Sequence, residues 1–168
     1  MRMTHYAKAV LLAGVLALPL GLPALAGPRD TALLAQLEGN WRGRGNATGA
    51  NSGPVACRMS FKPSGGDRLN YTGRCSLGGS GATSFRGTIL YNEAKNRFES
   101  ASSSQAGTAQ VVGKRRGNSI VFSSSNVKTN YGVVSSTMTL APTAIGMSFK
   151  MVDKEGKATG SSIKLTKG

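Results

Sequence analysis

The 168-residue chain is poor in most of the residue types that catalysis and metal binding draw on: one histidine, two cysteines and seven acids. The histidine, His5, lies in a stretch that reads as a removable leader, so Ser-His and Cys-His mechanisms have no base in the remainder. Two cysteines without further histidines do not complete a zinc set, and no metal or other cofactor is expected. The acids Asp30, Glu38, Asp67, Glu93, Glu99, Asp153 and Glu155 are scattered, mostly in expected turns or helix ends. A converging carboxylate pair is therefore not expected, and the chain reads as non-enzymatic. Aromatics make up 6% of the chain, with a single tryptophan. That argues against the stacking surfaces of nucleic-acid binders, and no base-reading motif is present, so no sequence-specific nucleic acid is expected as a partner.

The leader occupies residues 1–26. Arg2 and Lys8 form a positive start, 9–18 an unbroken apolar run, and Pro19, Gly21 and Pro23 precede the small-residue site Ala24-Leu25-Ala26. This is the layout of a secretory signal peptide cleaved before Gly27, and an uncleaved anchor is the competing reading. The two prolines and the Ala-x-Ala site favour cleavage, with no transmembrane span afterwards and a periplasmic or extracellular location. In such a compartment Cys57 and Cys75 are expected to form a disulfide.

Removing the leader takes two bases and no acid, so the net charge of +14 becomes +12. Leu, Ile, Val and Phe are then only about 18% of the chain, under the roughly 20% level that signals disorder at high net charge. The length supports one small domain.

Asp30 can cap a short helix through Leu33, Leu34 and Leu37, with Gly39 ending it. Residues 27–39 thus form an N-terminal segment, a lid or plug, ahead of a β domain over 40–168. From Asn40 the text changes to period-2 alternation punctuated by Gly, Asn, Ser and Pro clusters at about ten-residue spacing. Strands are expected near 40–48, 54–62, 68–77, 83–91, 97–104, 108–114, 119–126, 131–140, 144–152 and 159–166. The fold class is all-β: an antiparallel meander barrel of eight to ten strands, with a β-sandwich as the alternative.

A disulfide between directly opposed Cys57 and Cys75 centres a hairpin on Gly66, inside the turn-rich 63–67 segment. That register puts Phe61 opposite Tyr71 and Met59 opposite Gly73 on the cysteine face, which is then the core face. Closing this loop stabilises by about 3 kcal/mol in the chain-entropy account. The same register places Arg58 opposite Arg74 on the outer face, where like charges destabilise a strand pair. In a meander of the first four strands, Arg42, Arg44, Arg58, Arg74 and Arg86 form one outer stripe. Lys114, Arg115 and Arg116 form the densest charge run, expected at a hairpin tip.

Gly39-Asn40-Trp41-Arg42-Gly43-Arg44-Gly45, after a short helix and before about nine further strands, resembles the G-x-W opening of the calycins. These include lipocalins, fatty-acid-binding proteins, avidins and nitrobindin-like proteins, and the longer G-x-W-x-G-x-G form is most similar to the last. The resemblance implies a barrel with Trp41 at its closed base and a basic side chain of the last strand, such as Lys164, packed on it. It also implies an open end able to hold a small apolar ligand. Haem through a late histidine and biotin between several tryptophans are not implied, because the residues for them are missing.

Core-facing positions are often Gly, Ser or Thr, beside Met59, Phe61, Tyr71, Phe85 and Phe98 in the first half of the barrel. In the second half they accompany Phe122, Met138, Met147, Phe149 and Met151. A barrel so thinly filled either holds a pocket lined by these side chains or flattens until they meet. The serine runs 100–104 and 123–125 do not declare a face. Three functions follow from these features. The first is binding of a small apolar or amphipathic molecule in the barrel. The second is binding of an anionic lipid, lipopolysaccharide or acidic polymer by the outer arginines. The third is a protein-protein role, such as protease inhibition by a mobile 27–39 segment.

Overall fold

A computed structural model describes residues 27–77 and 81–168. The leader, and with it the reading of 1–26 as a signal peptide, lies outside the described residues. Among the described residues, one α-helix, α1 (Gly27–Ala35), precedes ten strands. They are β1 (Gly39–Gly49), β2 (Gly53–Pro63), β3 (Arg68–Leu77), β4 (Gly81–Asn92), β5 (Arg97–Ser104), β6 (Gly107–Arg116), β7 (Ser119–Thr129), β8 (Gly132–Ala141), β9 (Ala144–Asp153) and β10 (Ala158–Lys167). Each pairs antiparallel with its sequence neighbours, and β10 returns to β1, closing a barrel. Closure excludes the sandwich. The expected strand positions hold to within a few residues. The largest departure is β7, which runs three residues further, past a register shift between Ser124 and Val127.

The seam between β1 and β10 depends on the glycines that follow Trp41. A Cβ on Gly43 would stand 2.0 Å from the Lys164 carbonyl oxygen, and one on Gly45 2.1 Å from that of Ser162. The backbones of the two strands can approach this closely only where the inward-facing residue of β1 has no side chain. Along β2 and β3 the register centred on Gly66 is the one observed. Cys57 faces Cys75 and carries the disulfide, Met59 faces Gly73, and Phe61 faces Tyr71. The bond is consistent with an oxidising compartment.

The interior is divided by chain chemistry. At the end where β1 begins, Trp41, Phe61, Leu69, Ile89, Phe98, Ile120, Leu140, Ile145 and Leu165 are almost fully buried. α1 closes this end with Leu33, Leu34 and Leu37. Trp41 Nε1 donates to the Leu37 carbonyl at 2.8 Å, tying plug to strand. Gly39, at φ +118°, lets the chain turn from plug into strand.

Two basic side chains, Arg115 and Lys167, complete the plug. Asp30 lies within the first helical turn instead of capping it, and its buried carboxylate takes Arg115 Nη1 at 2.8 Å. Arg115 faces inward by strand parity, so it anchors α1 and is not free for an external anion. The cation over Trp41 is Lys167, with Nζ 5.5 Å from the ring centroid and donating to the Gln36 carbonyl at 2.9 Å. Lys164 is not at the base: it pairs with Arg44 on the outer face, whereas Lys167 is the register partner of Trp41. With side chains alternating along β10, a shift of three residues changes the face.

Two outcomes follow. Gly43→Ala pushes a methyl into the β10 backbone and costs about 3 kcal/mol, read as a lowered midpoint in urea denaturation. Tyr91, buried beside the plug, donates to Asn96 Oδ1 at 2.6 Å, and burial, then the Asp30 carboxylate, raise its phenol above the ordinary 10.0. The folded state therefore holds this proton more tightly than the unfolded one. Its contribution is complete below the unfolded value and is lost as pH rises through the raised one. Denaturation at stepped alkaline pH is expected to show that decline in the native protein and a smaller one in Tyr91→Phe.

Candidate functional site

The other half of the barrel is built from small and hydroxyl-bearing residues, and there the interior opens into a cavity of about 380 Å³. That volume lies within the range of small-molecule sites. Its apolar lining includes Tyr71, Phe85, Phe122, Met138, Met147 and Phe149. Met59, Phe61 and Phe98, expected in the same lining, are instead packed into the closed end, buried to 3% exposure or less. They sit on the correct face but lie nearer the plug.

Three inward glycines make room for the rings. A Cβ on Gly73 would meet the Phe85 ring at 2.2 Å, one on Gly87 the Tyr71 hydroxyl at 2.5 Å, and one on Gly113 the Phe122 ring at 2.5 Å. Each of these aromatics lies across the empty position of a cross-strand partner. The rings thus lie against the barrel wall, leaving the space between them.

The serine runs, whose facing the sequence left open, supply part of the polar lining. Ser100, Ser102, Ser124 and Ser136 line the cavity. Ser124 and Ser136 are partners across β7 and β8, with their oxygens 2.8 Å apart. Ser161 is 7% exposed, pairs with Phe149 on β9, and its Oγ has no hydrogen-bond partner among the described residues. Hydroxyls both donate and accept, so this wall can adapt to either kind of ligand atom. The cavity includes residues of β6 and β7, where the wall is thin. These strands share only four register pairs, Gly113 to Phe122 through Arg116 to Ser119, and their remaining halves are unpaired with each other.

Outside, the expected single stripe of five arginines resolves into a row of three with two offset from it. Arg42 faces Arg58 across β1 and β2, and Arg58 faces Arg74 across β2 and β3. Arg86 pairs with Thr72 and Ser103 one row over, and Arg44 with Lys164. Arg42, Arg58, Arg74 and Arg86 border an external groove of about 830 Å³. Among the described residues, none of the ion pairs involves these arginines. The nearest outward acid on the following strand, Glu99, is held by Arg97 at 2.7 Å, which with its hydrogen bond keeps the carboxyl below its usual range. Lys114 and Arg116, on β6 near the plugged end, do not join the row.

The 27–39 segment is packed as a plug, with Leu33, Leu34 and Leu37 buried. It is not displayed as an inhibitory role would need. No helix among the described residues is long and apolar enough to cross a membrane.

No family model matches the chain, and no curated protein matches it by sequence. Among solved structures it is similar to Rv2717c from M. tuberculosis, with a TM-score of 0.61 and 19% identity over 84% of this chain and 98% of that one. It is also similar to the S-type phycobiliprotein lyase CPES from Guillardia theta, with a TM-score of 0.54 and 10% identity over 87% and 98% of the two chains. At these identities the likeness is one of fold.

The opposed arginines make a stability prediction. Arg58→Thr removes the middle charge of the row and places a residue suited to strands there, so it is expected to stabilise by about 0.5 kcal/mol at low ionic strength. Thermal unfolding compared at low salt and near 1 M is the check, because added salt screens the repulsion and narrows the difference.

Proposed function

We propose that the protein is an exported, non-enzymatic, calycin-like barrel that binds a small apolar or amphipathic molecule in its open half. The observation that carries this reading is the cavity of about 380 Å³, walled by aromatic rings, methionines and interspersed serine hydroxyls. A core packed for stability alone would not leave such a volume unfilled. The leader-like 1–26 segment and the Cys57–Cys75 bond support export.

Binding rather than catalysis is supported by the residues at hand. Residues 27–168 contain no histidine, both cysteines are bonded, and Asp30 and Glu99 are committed to arginines. The phycobiliprotein lyase among the similar structures shares the barrel, and its activity is not extended to this chain.

Titration with the neutral fluorophore Nile red tests the proposal. Saturable binding at one site per chain is expected, weakened roughly tenfold or more by Ala109→Phe, which fills the cavity opposite Ser102. Non-saturable binding, or equal affinity in a folded Ala109→Phe variant, overturns it.

A further inference from the structure

The external arginine groove and the internal cavity share part of their borders. Phe85, Ser103 and Ser104 line both. The reason lies in the hairpins: β5 ends at Ser104, opposite Phe85, whereas β4 continues to Gly81. The wall is therefore lowest at the turn after Ser104. Immediately outside this low rim stands Arg86, the register partner of Ser103, followed by Arg74 beside Ser84 and then Arg58. A molecule leaving the cavity over this rim meets three guanidinium-bearing strands in sequence.

We propose that this row is the headgroup subsite of the cavity's ligand, an amphiphile whose apolar part occupies the barrel and whose phosphate folds over the rim onto Arg86 and Arg74. The inference rests on the cavity reading given above and narrows the ligand class. Guanidinium groups match phosphate oxygens two at a time, which an ammonium cannot do. Arg86 stands two positions along β4 from Ser84, the residue facing Arg74, a diagonal separation of roughly 7–8 Å that two long guanidinium side chains can span to share one phosphate. Ser84, Ser103 and Thr72 add neutral hydroxyls beside the cations. Such a dianion also offsets the repulsion between Arg58 and Arg74, which no ion pair among the described residues relieves. The groove is concave and leads to the cavity mouth, a shape suited to a discrete headgroup. Its outward side chains include no ring on which a base could stack.

Displacement of Nile red by decyl phosphate and by decanol, compared in the full exported protein, tests the assignment. The phosphate is expected to bind roughly tenfold or more tightly at low ionic strength. The ratio of the two affinities is expected to shrink as salt is raised. It should fall toward one in the double variant Arg74→Ser, Arg86→Ser, whose changes lie on the exposed face. The salt series on the native protein keeps the test decisive should that variant fold poorly. A ratio near one in the native protein, a ratio insensitive to salt, or one that survives the double variant overturns the headgroup subsite while decanol binding leaves the cavity reading standing. Failure of both compounds to displace the dye overturns the cavity reading, and the subsite with it.

Discussion

Everything in this barrel depends on the approach of β10 to β1. The backbone carbonyls of Lys164 and Ser162 come so close to the inward side of β1 that Gly43 and Gly45 could carry no side chain. Closing the sheet there turns ten short strands into a container and brings Lys167 over Trp41. It also makes Leu165 and Ile163 walls of the same interior as Val55 and Cys57. The G-x-W-x-G-x-G opening is thus a device for closure as much as a marker of fold. Its tryptophan fills the base, and its next two alternate positions are empty because the last strand passes there.

That container is filled unevenly, and the unevenness explains how a chain so short of aliphatic residues can fold and still keep an open interior. The large apolar side chains and the plug helix concentrate at one end. If each fully buried Leu, Ile or Phe contributes about 2 kcal/mol, a compact half-core can support a fold while the rest stays open. The other half substitutes glycine-seated rings and hydroxyls for aliphatic bulk. The low aliphatic content read from the sequence is the cost of the cavity, and the mean composition conceals how those residues are placed.

Much of the fold was legible because alternation is local. The strand positions, the cysteine register and the arginine row all follow from a period of two and one covalent anchor. The parts that were not legible depend on contacts beyond a single strand. Met59, Phe61 and Phe98 could be assigned to a face but not to a height along the barrel axis, which the stagger of neighbouring strands sets. The serine runs carry no alternation, so only their partners on β6 and β8 decide which oxygens point inward. Arg115 resembled any tip residue until α1 brought Asp30 to it, and Lys164 could be told from Lys167 only through the pairing with Trp41.

The arginine row is tolerable because of where the disulfide lies. Cys57–Cys75 and Arg58–Arg74 are consecutive register pairs of the same two strands, one facing in and the other out. At physiological salt the Debye length is about 8 Å, and each exposed like-charge pair costs on the order of 1 kcal/mol or less. The covalent closure contributes about 3 kcal/mol by restricting the unfolded chain, and it holds together the strands that the arginines push apart. A purely solvating surface would gain nothing from stacking its cations in register, since dispersing them, or alternating them with the few acids, would serve solubility better. Here the charge is instead concentrated on β1 to β4, directly over the covalent bond that withstands its repulsion.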